Sequence, residues 1–169
     1  MTEQLAAPWR LKYIEAAGKQ DGCIFCDFPA QSREHDRENL ILHRGEHGFI
    51  ILNAYPYSNG HLMAVPYRHA CTLEEYTEAE MLEVMQLTRL CTRVLKTVMN
   101  PDAYNSGLNI GRGAGAGIAG HLHWHLVPRW IGDTNFMTVI NDIRVIPESL
   151  QNTYDRLKEA LPAALEGKG

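Results

Sequence analysis

The segment His121-Leu122-His123-Trp124-His125-Leu126 constrains this chain more than any other. Imidazole and apolar side chains alternate strictly, and in an extended strand alternate residues share a face. Leu122, Trp124 and Leu126 fit a core, so His121, His123 and His125 are presented together on the opposite face. A strand rises about 3.3 Å per residue, which sets His121 and His125 about 13 Å apart along the chain. A zinc–nitrogen bond spans only about 2.0–2.1 Å. Adjacent members could share an ion, but not all three, so at least one imidazole has another task.

Composition narrows the setting. The chain has 169 residues, 45% apolar and 21% charged, with a formal net charge of -4. That length suits one domain with short extensions and a real core, and the low net charge excludes intrinsic disorder. No apolar run approaches the ~20 residues of a bilayer crossing, and Met1 to Arg10 lacks the order of a secretory signal. A weakly acidic chain without a basic stripe is a poor partner for duplex nucleic acid. Four cysteines without a signal segment do not read as a disulfide scaffold, and a cytoplasmic location is expected. Cys91 lies in a helical apolar pattern and reads as core. Cys71 reads as a small buried residue.

Short apolar runs and turn residues organise the rest. Pro8 to Ala17 is expected to form a short helix. Asn39 to His43 and Phe49 to Asn53 read as a hairpin, His61 to Pro66 as a third strand, Leu108 to Ile110 as a fourth and His121 to Pro128 as a fifth. A long helix follows a capping box at Thr72/Glu75 or Thr77/Glu80, with Met81, Val84, Met85, Thr88, Cys91, Leu95 and Val98 on its apolar face. Asn100-Pro101 ends it. Pro147 suits the first turn of a last helix carrying Leu150, Tyr154, Leu157 and Leu161. The pattern predicts an α+β fold with an antiparallel sheet.

The histidine strand invites phosphoryl chemistry. Neutral imidazole is a competent nucleophile near pH 7, and the phosphoramidate it forms is a good donor to a second acceptor. A neighbouring imidazole can donate to a phosphate oxygen or protonate a leaving group. Directly before the strand, Gly111 to Gly120 contain five glycines, which permit positive φ and let backbone N–H groups approach an anion.

His121-Leu-His123-Trp-His125-Leu-Val-Pro-Arg resembles the histidine-triad (HIT) signature. A second stretch, Asn53-Ala-Tyr-Pro-Tyr-Ser-Asn-Gly60-His61-Leu-Met-Ala-Val-Pro66, resembles the family's Asn, Gly-His and Pro segment. The likeness covers roughly Cys23 to Trp130. The tail from Pro128 to Met137 looks like a bacterial branch related to diadenosine tetraphosphate phosphorylases and fragile-histidine-triad hydrolases. The resemblance implies a five-stranded antiparallel sheet with one long helix and a C-terminal helix. It divides the chain into an N-terminal extension (1–20), a HIT domain (21–135) and a C-terminal helical extension (136–169).

It also implies nucleotidyl transfer at the α-phosphate of a dinucleoside polyphosphate. By motif position His123 is the nucleophile, His125 contacts the phosphate and His121 orients His123 through its backbone carbonyl. Asn53 falls where the family binds ribose and Asn109 near a phosphate contact, with His61 supporting the site from behind. Gly115 and Gly117 belong to the loop that faces substrate. The family's Ala-Gly-Gln-Ser/Thr appears here as Ala114-Gly115-Ala116-Gly117. Amide and hydroxyl are both absent, so backbone N–H groups take more of the work. The smaller loop leaves room for inorganic phosphate as acceptor, which favours a phosphorylase over a hydrolase. The alternative is a nucleotide-binding signalling module with weak or lost turnover. Family members pair as homodimers.

Cys23-Ile-Phe-Cys26 has metal-knuckle spacing, but a closed tetrahedral zinc site needs two more ligands. Asp27-Phe28-Pro29 does not continue a helix well, which disfavours a redox motif. Zinc-bearing relatives supply ligands at positions equivalent to His69 and His121, with His43 or His47 as substitutes for His69. The implied ion is structural, and a separate zinc catalyst built on His-x-His is disfavoured by the strand geometry.

Overall fold

A computed structural model of the chain describes residues 22–133 and 146–167. The helix expected over Pro8 to Ala17 lies outside them. Five strands, β1 (Ile41–Arg44), β2 (Gly48–Leu52), β3 (Leu62–Pro66), β4 (Ala103–Leu108) and β5 (Trp124–Arg129), form one sheet. Its order is β1-β2-β3-β5-β4, and every neighbouring pair is antiparallel. The α+β class expected from the sequence is therefore the one formed. Every residue of β2 and β3 is buried, as runs with no polar alternation require of strands covered on both faces.

Helix α1 (Ile24–Ala30) opens directly on Cys23, and helix α2 (Glu78–Met99) crosses the sheet. Both capping boxes are used. Thr72 and Glu75 open a 3-10 turn at Leu73–Glu75, while Thr77 and Glu80 start α2. In each, the glutamate accepts from the cap backbone N–H, which satisfies donors that a helix start leaves free. Asn100, at a φ of +44°, closes α2 in the left-handed conformation.

The buried face of α2 is Val84, Leu87, Leu90, Cys91, Val94 and Leu95, rotated from the expected one. Met85 is 40% exposed and Leu82 61% exposed. The helix contacts both the sheet and α3 (Leu150–Leu165), so its core face widens toward Leu87 and Val94. Cys71 is exposed rather than buried.

Three further expectations need correction. The fourth strand covers Ala103–Leu108, not Leu108 to Ile110; it is an edge strand whose small, polar and aromatic residues include none that is fully buried, so it carries no continuous apolar signal. Ser149, not Pro147, sets the start of α3, its hydroxyl accepting from the Asn152 N–H. The fifth strand begins at Trp124. His121 to His123 leave the ladder because Leu122 N–H donates to Ala70 O at 2.8 Å and His121 Nε2 reaches Pro66 O at 2.9 Å. These bonds draw the segment along the chain that follows β3.

Helix α3 packs Tyr154, Leu157 and Leu161 into the core, and the Tyr154 hydroxyl donates to Ile41 O at 2.9 Å. Near the other end of β1, Arg44 donates to Asp36 and to the carbonyls of Pro29 and Gln31. That nearly buried pair anchors α1 against β1, which places both of its cysteines.

Candidate active site and metal centre

The cysteine pair is the first part of the site. Cys23 caps α1 and Cys26 lies one turn inside it, where Cys26 N–H and Asp27 N–H donate to Cys23 O. Contrary to the expectation that Asp27-Phe28-Pro29 would break a helix, α1 carries Pro29 in its last turn. It is only 7 residues long, so a late proline disturbs little. The pair faces no third cysteine. Cys23 Sγ is 3.4 Å from His121 Nδ1, and Cys26 Sγ is 3.3 Å from His69 Nδ1 and 3.6 Å from His121 Nδ1.

All four donor atoms lie within 4.8 Å of one another. With zinc–sulfur and zinc–nitrogen bonds of about 2.3 and 2.0–2.1 Å, a tetrahedral ion would separate S and N by about 3.6 Å. The donor set fits. Tautomers agree, because His121 Nε2–H donates to the Pro66 carbonyl and leaves the Nδ1 lone pair toward the cysteines. Desolvation, then the hydrogen bond and charge of Cys23, push the Cys26 thiol up to about 11. A cation between them opposes that effect. His43 and His47 are outside this group.

Just past His121, the ring of His123 is fixed by its own neighbour. His123 Nδ1 lies 2.9 Å from His121 O. A carbonyl only accepts, so Nδ1 carries the hydrogen and Nε2 keeps its lone pair. Desolvation lowers the His123 pKa from its ordinary value, which favours the neutral form. Phe25, between the two cysteines, packs its ring 4.8 Å from that of His123 and 5.4 Å from that of His121.

His125 is set by a chain of hydrogen bonds from the loop between β2 and β3. The Tyr57 N–H donates to His61 Nδ1 at 3.1 Å, and the Asn53 amide is 3.3 Å from the same nitrogen. His61 is thereby an Nε2–H tautomer, and this hydrogen reaches His125 Nδ1 at 2.9 Å. Neutral His125 then carries its hydrogen on Nε2, where the Asn109 amide lies 3.4 Å away. Burial, aided by the neighbouring histidines, depresses His61 to about 3 and His125 to about 4. Both are neutral hydrogen-bonding groups at pH 7.

The sequence reading passed over Tyr57 and Phe25. Tyr57 lies inside the Asn53–Pro66 motif, and its ring covers His61 at 4.7 Å and His125 at 5.9 Å. The spacing of the cysteines marked Phe25 only as filler. The glycine loop spans the histidines. It starts at Asn109 beside His125, forms a 3-10 turn at Arg112–Ala114, and ends at Gly120, where an added Cβ would meet His69 Nε2 at 3.5 Å. Gly111 and Gly115 take φ values of +80° and +86°, so glycine is required at both. Gly115 and Gly117 are exposed, with no hydrogen bond to the histidines among the described residues.

A carbonyl-held imidazole with a free lone pair, beside a second imidazole with a free N–H, can attack an electrophilic centre and hydrogen-bond its oxygens. Comparison with known proteins points the same way. The HIT domain family model matches residues 34–130. The AP-4-A phosphorylase of Mycobacterium tuberculosis is 43% identical over 159 residues, covering 89% of this chain and 80% of that protein. A Zn-bound histidine triad family protein from Mycobacterium smegmatis superposes with a TM-score of 0.67 at 22% identity, over 88% of this chain and 98% of its own. A hypothetical histidine triad nucleotide-binding protein from Sulfolobus tokodaii gives 0.63 at 27% identity, over 86% and 93%. With the triad, its carbonyl-oriented middle ring and these matches together, the chain belongs to the HIT domain family.

Proposed function

We propose that this chain is a nucleotidyl-transferring enzyme that cleaves dinucleoside polyphosphates of the diadenosine tetraphosphate type, with inorganic phosphate as acceptor. The observation that carries the reading is the His123 tautomer, with Nδ1–H on the His121 carbonyl and the Nε2 lone pair free. The 43% identity to an AP-4-A phosphorylase supports the substrate class.

His123 Nε2 attacks the α-phosphorus, and the bond from phosphorus to the bridging oxygen breaks. That oxygen leaves with the electron pair as the departing nucleotide's terminal phosphate. The Nδ1–H to carbonyl bond stabilises the positive charge that develops on the ring. His125 Nε2–H donates to a phosphate oxygen as charge builds there. A phosphate oxygen then attacks the same phosphorus, the N–P bond breaks, and its electrons return to Nε2. Asn53 serves the ribose and Asn109 a phosphate oxygen, while Gly115 and Gly117 give the loop its close backbone approach. Zinc held by Cys23, Cys26, His69 and His121 would supply structural bonds that fix the His121 carbonyl.

The catalytic domain spans residues 21–135, flanked by an N-terminal extension and a C-terminal helical extension, and acts in the cytoplasm as a homodimer. Edge strand β4 and exposed Leu82 and Met85 support the pairing.

Intact-mass analysis with diadenosine tetraphosphate should trap a nucleotidyl adduct that is absent in His123→Asn. An unchanged adduct in that variant refutes the nucleophile. With phosphate present the products are ADP and ATP. If AMP forms equally well without phosphate and no ADP appears, the phosphorylase version is wrong. Binding without turnover would favour the signalling module.

A further inference from the structure

A polyphosphate substrate brings several negative charges to a chain whose own net charge is -4. The histidines do not balance them. His61 and His125 are buried and neutral, and they offer hydrogen bonds without formal charge. The loop between Leu108 and Gly120 lacks amide and hydroxyl side chains between its glycines, so its backbone can orient an anion but not neutralise it.

One side chain of that loop carries a charge, Arg112. Most other arginines of the described residues are committed: Arg37 to Asp155, Arg44 to Asp36, Arg68 to Glu80, Arg129 to Asp133 and Arg156 to Glu148. Arg112 is exposed and has no side-chain hydrogen bond or ion pair among the described residues. Its backbone is nonetheless defined. Gly115 N–H donates to Arg112 O at 3.0 Å, and Ala114 N–H to Gly111 O at 3.2 Å, so the turn holds its Cα in place. Three residues earlier, Asn109 touches His125. An unpaired guanidinium is thus carried on a defined backbone turn, three residues along the loop from the side chain that touches His125.

We propose that Arg112 binds the phosphates beyond the one attacked, and so selects substrates whose leaving group is itself a polyphosphate. The inference rests on the phosphoryl-transfer reading above. His123 and His125 serve the α-phosphate, and Arg112 serves the leaving side. A planar, always charged fork matches two phosphate oxygens at once, which a glycine-loop backbone does not replace.

The test compares two substrates on purified full-length chain. Diadenosine tetraphosphate has a charged leaving group, whereas adenosine 5′-(p-nitrophenyl phosphate) has a leaving group without phosphate. Arg112→Gln should lower kcat/KM for the first by about tenfold to a hundredfold, the range of one charge-assisted bond. It should leave the second within about twofold, and Arg112→Lys should fall between. Raising salt should shrink the wild-type advantage on the tetraphosphate. On a His123→Asn background, Arg112→Gln should weaken equilibrium binding of ATP and spare that of AMP. Equal losses on both members of either pair, or no loss on the tetraphosphate, overturn the assignment. A wild-type chain that forms no nucleotidyl adduct and turns over neither substrate would instead bring down the underlying reading, and Arg112's role with it.

Discussion

His61 Nε2 lies 2.9 Å from His125 Nδ1, and Tyr57 N–H pins the other nitrogen of His61. A backbone amide thereby dictates, through two rings, which nitrogen of His125 carries its hydrogen. Under the proposed mechanism His61 would be a positioning residue, acting on His125 without touching substrate. His61→Leu should lower kcat by about 10²–10⁴-fold, the usual worth of a positioned acid or base. His61→Gln, which keeps a donor, should recover much of it. Comparing kcat and KM for the two, with thermal unfolding to confirm folding, checks the relay. Equal impairment in both variants would reduce His61 to a packing residue.

Stability should fall on mild acidification. His61 and His125 have folded pKa values of about 3 and 4, below the ordinary 6.5. Above pH 6.5 both states are neutral, and stability does not change. Between 6.5 and about 4 the unfolded chain takes up protons that the folded chain refuses, so stability is lost as pH drops. Each histidine contributes up to about 1.4 kcal/mol per pH unit in that window. Urea unfolding at pH 7.5, 6.0 and 5.0 measures the slope, which His61→Gln should reduce in part only, because burial also lowers His121, His123 and His43.

Protein purified without added zinc should carry about one ion per chain. Cys26→Ser should lose it, and chelation should lower Tm, because an ion held by these four residues would join α1 to the segment before β5. Elemental analysis with thermal melts checks both. A clearly substoichiometric content removes the zinc assignment while leaving the triad chemistry intact.

The Arg44–Asp36 pair is 10% and 12% exposed, and Arg44 also holds two carbonyls near the end of α1. Asp36→Ala strands the guanidinium and should destabilise by about 3–5 kcal/mol in urea unfolding. Arg44→Met with Asp36→Ala should recover part of that loss, since no buried charge is then left alone.

Local rules made much of the fold legible. Continuous apolar runs marked β2 and β3, because a strand buried on both faces tolerates no polar residue. Capping boxes at Thr72/Glu75 and Thr77/Glu80 bracketed the start of α2, because such a box is a contact between neighbours in sequence; the second is the one that opens the helix. The extent of β4, expected over Leu108 to Ile110 but formed by Ala103–Leu108, was not legible for the complementary reason. An edge strand with exposed residues is held by backbone pairing with β5, and that leaves no pattern in its side chains. The face of α2 turned because α3 contributes to the same core, which the periodicity of α2 cannot register.

By itself, the sequence determined the antiparallel α+β class, the alternation that isolates three imidazoles and the cysteine spacing, all carried by residues within a few positions of one another. The tertiary structure decided which nitrogen of each histidine is free. It bends His121 off the strand toward Pro66 and brings it to Cys23 across a separation of 98 residues. It also links His61 to His125 across 64. A tautomer depends on the partner of the opposite nitrogen, and here the partners are a distant carbonyl, a loop N–H and a ring from another strand. Only the folded chain brings them together.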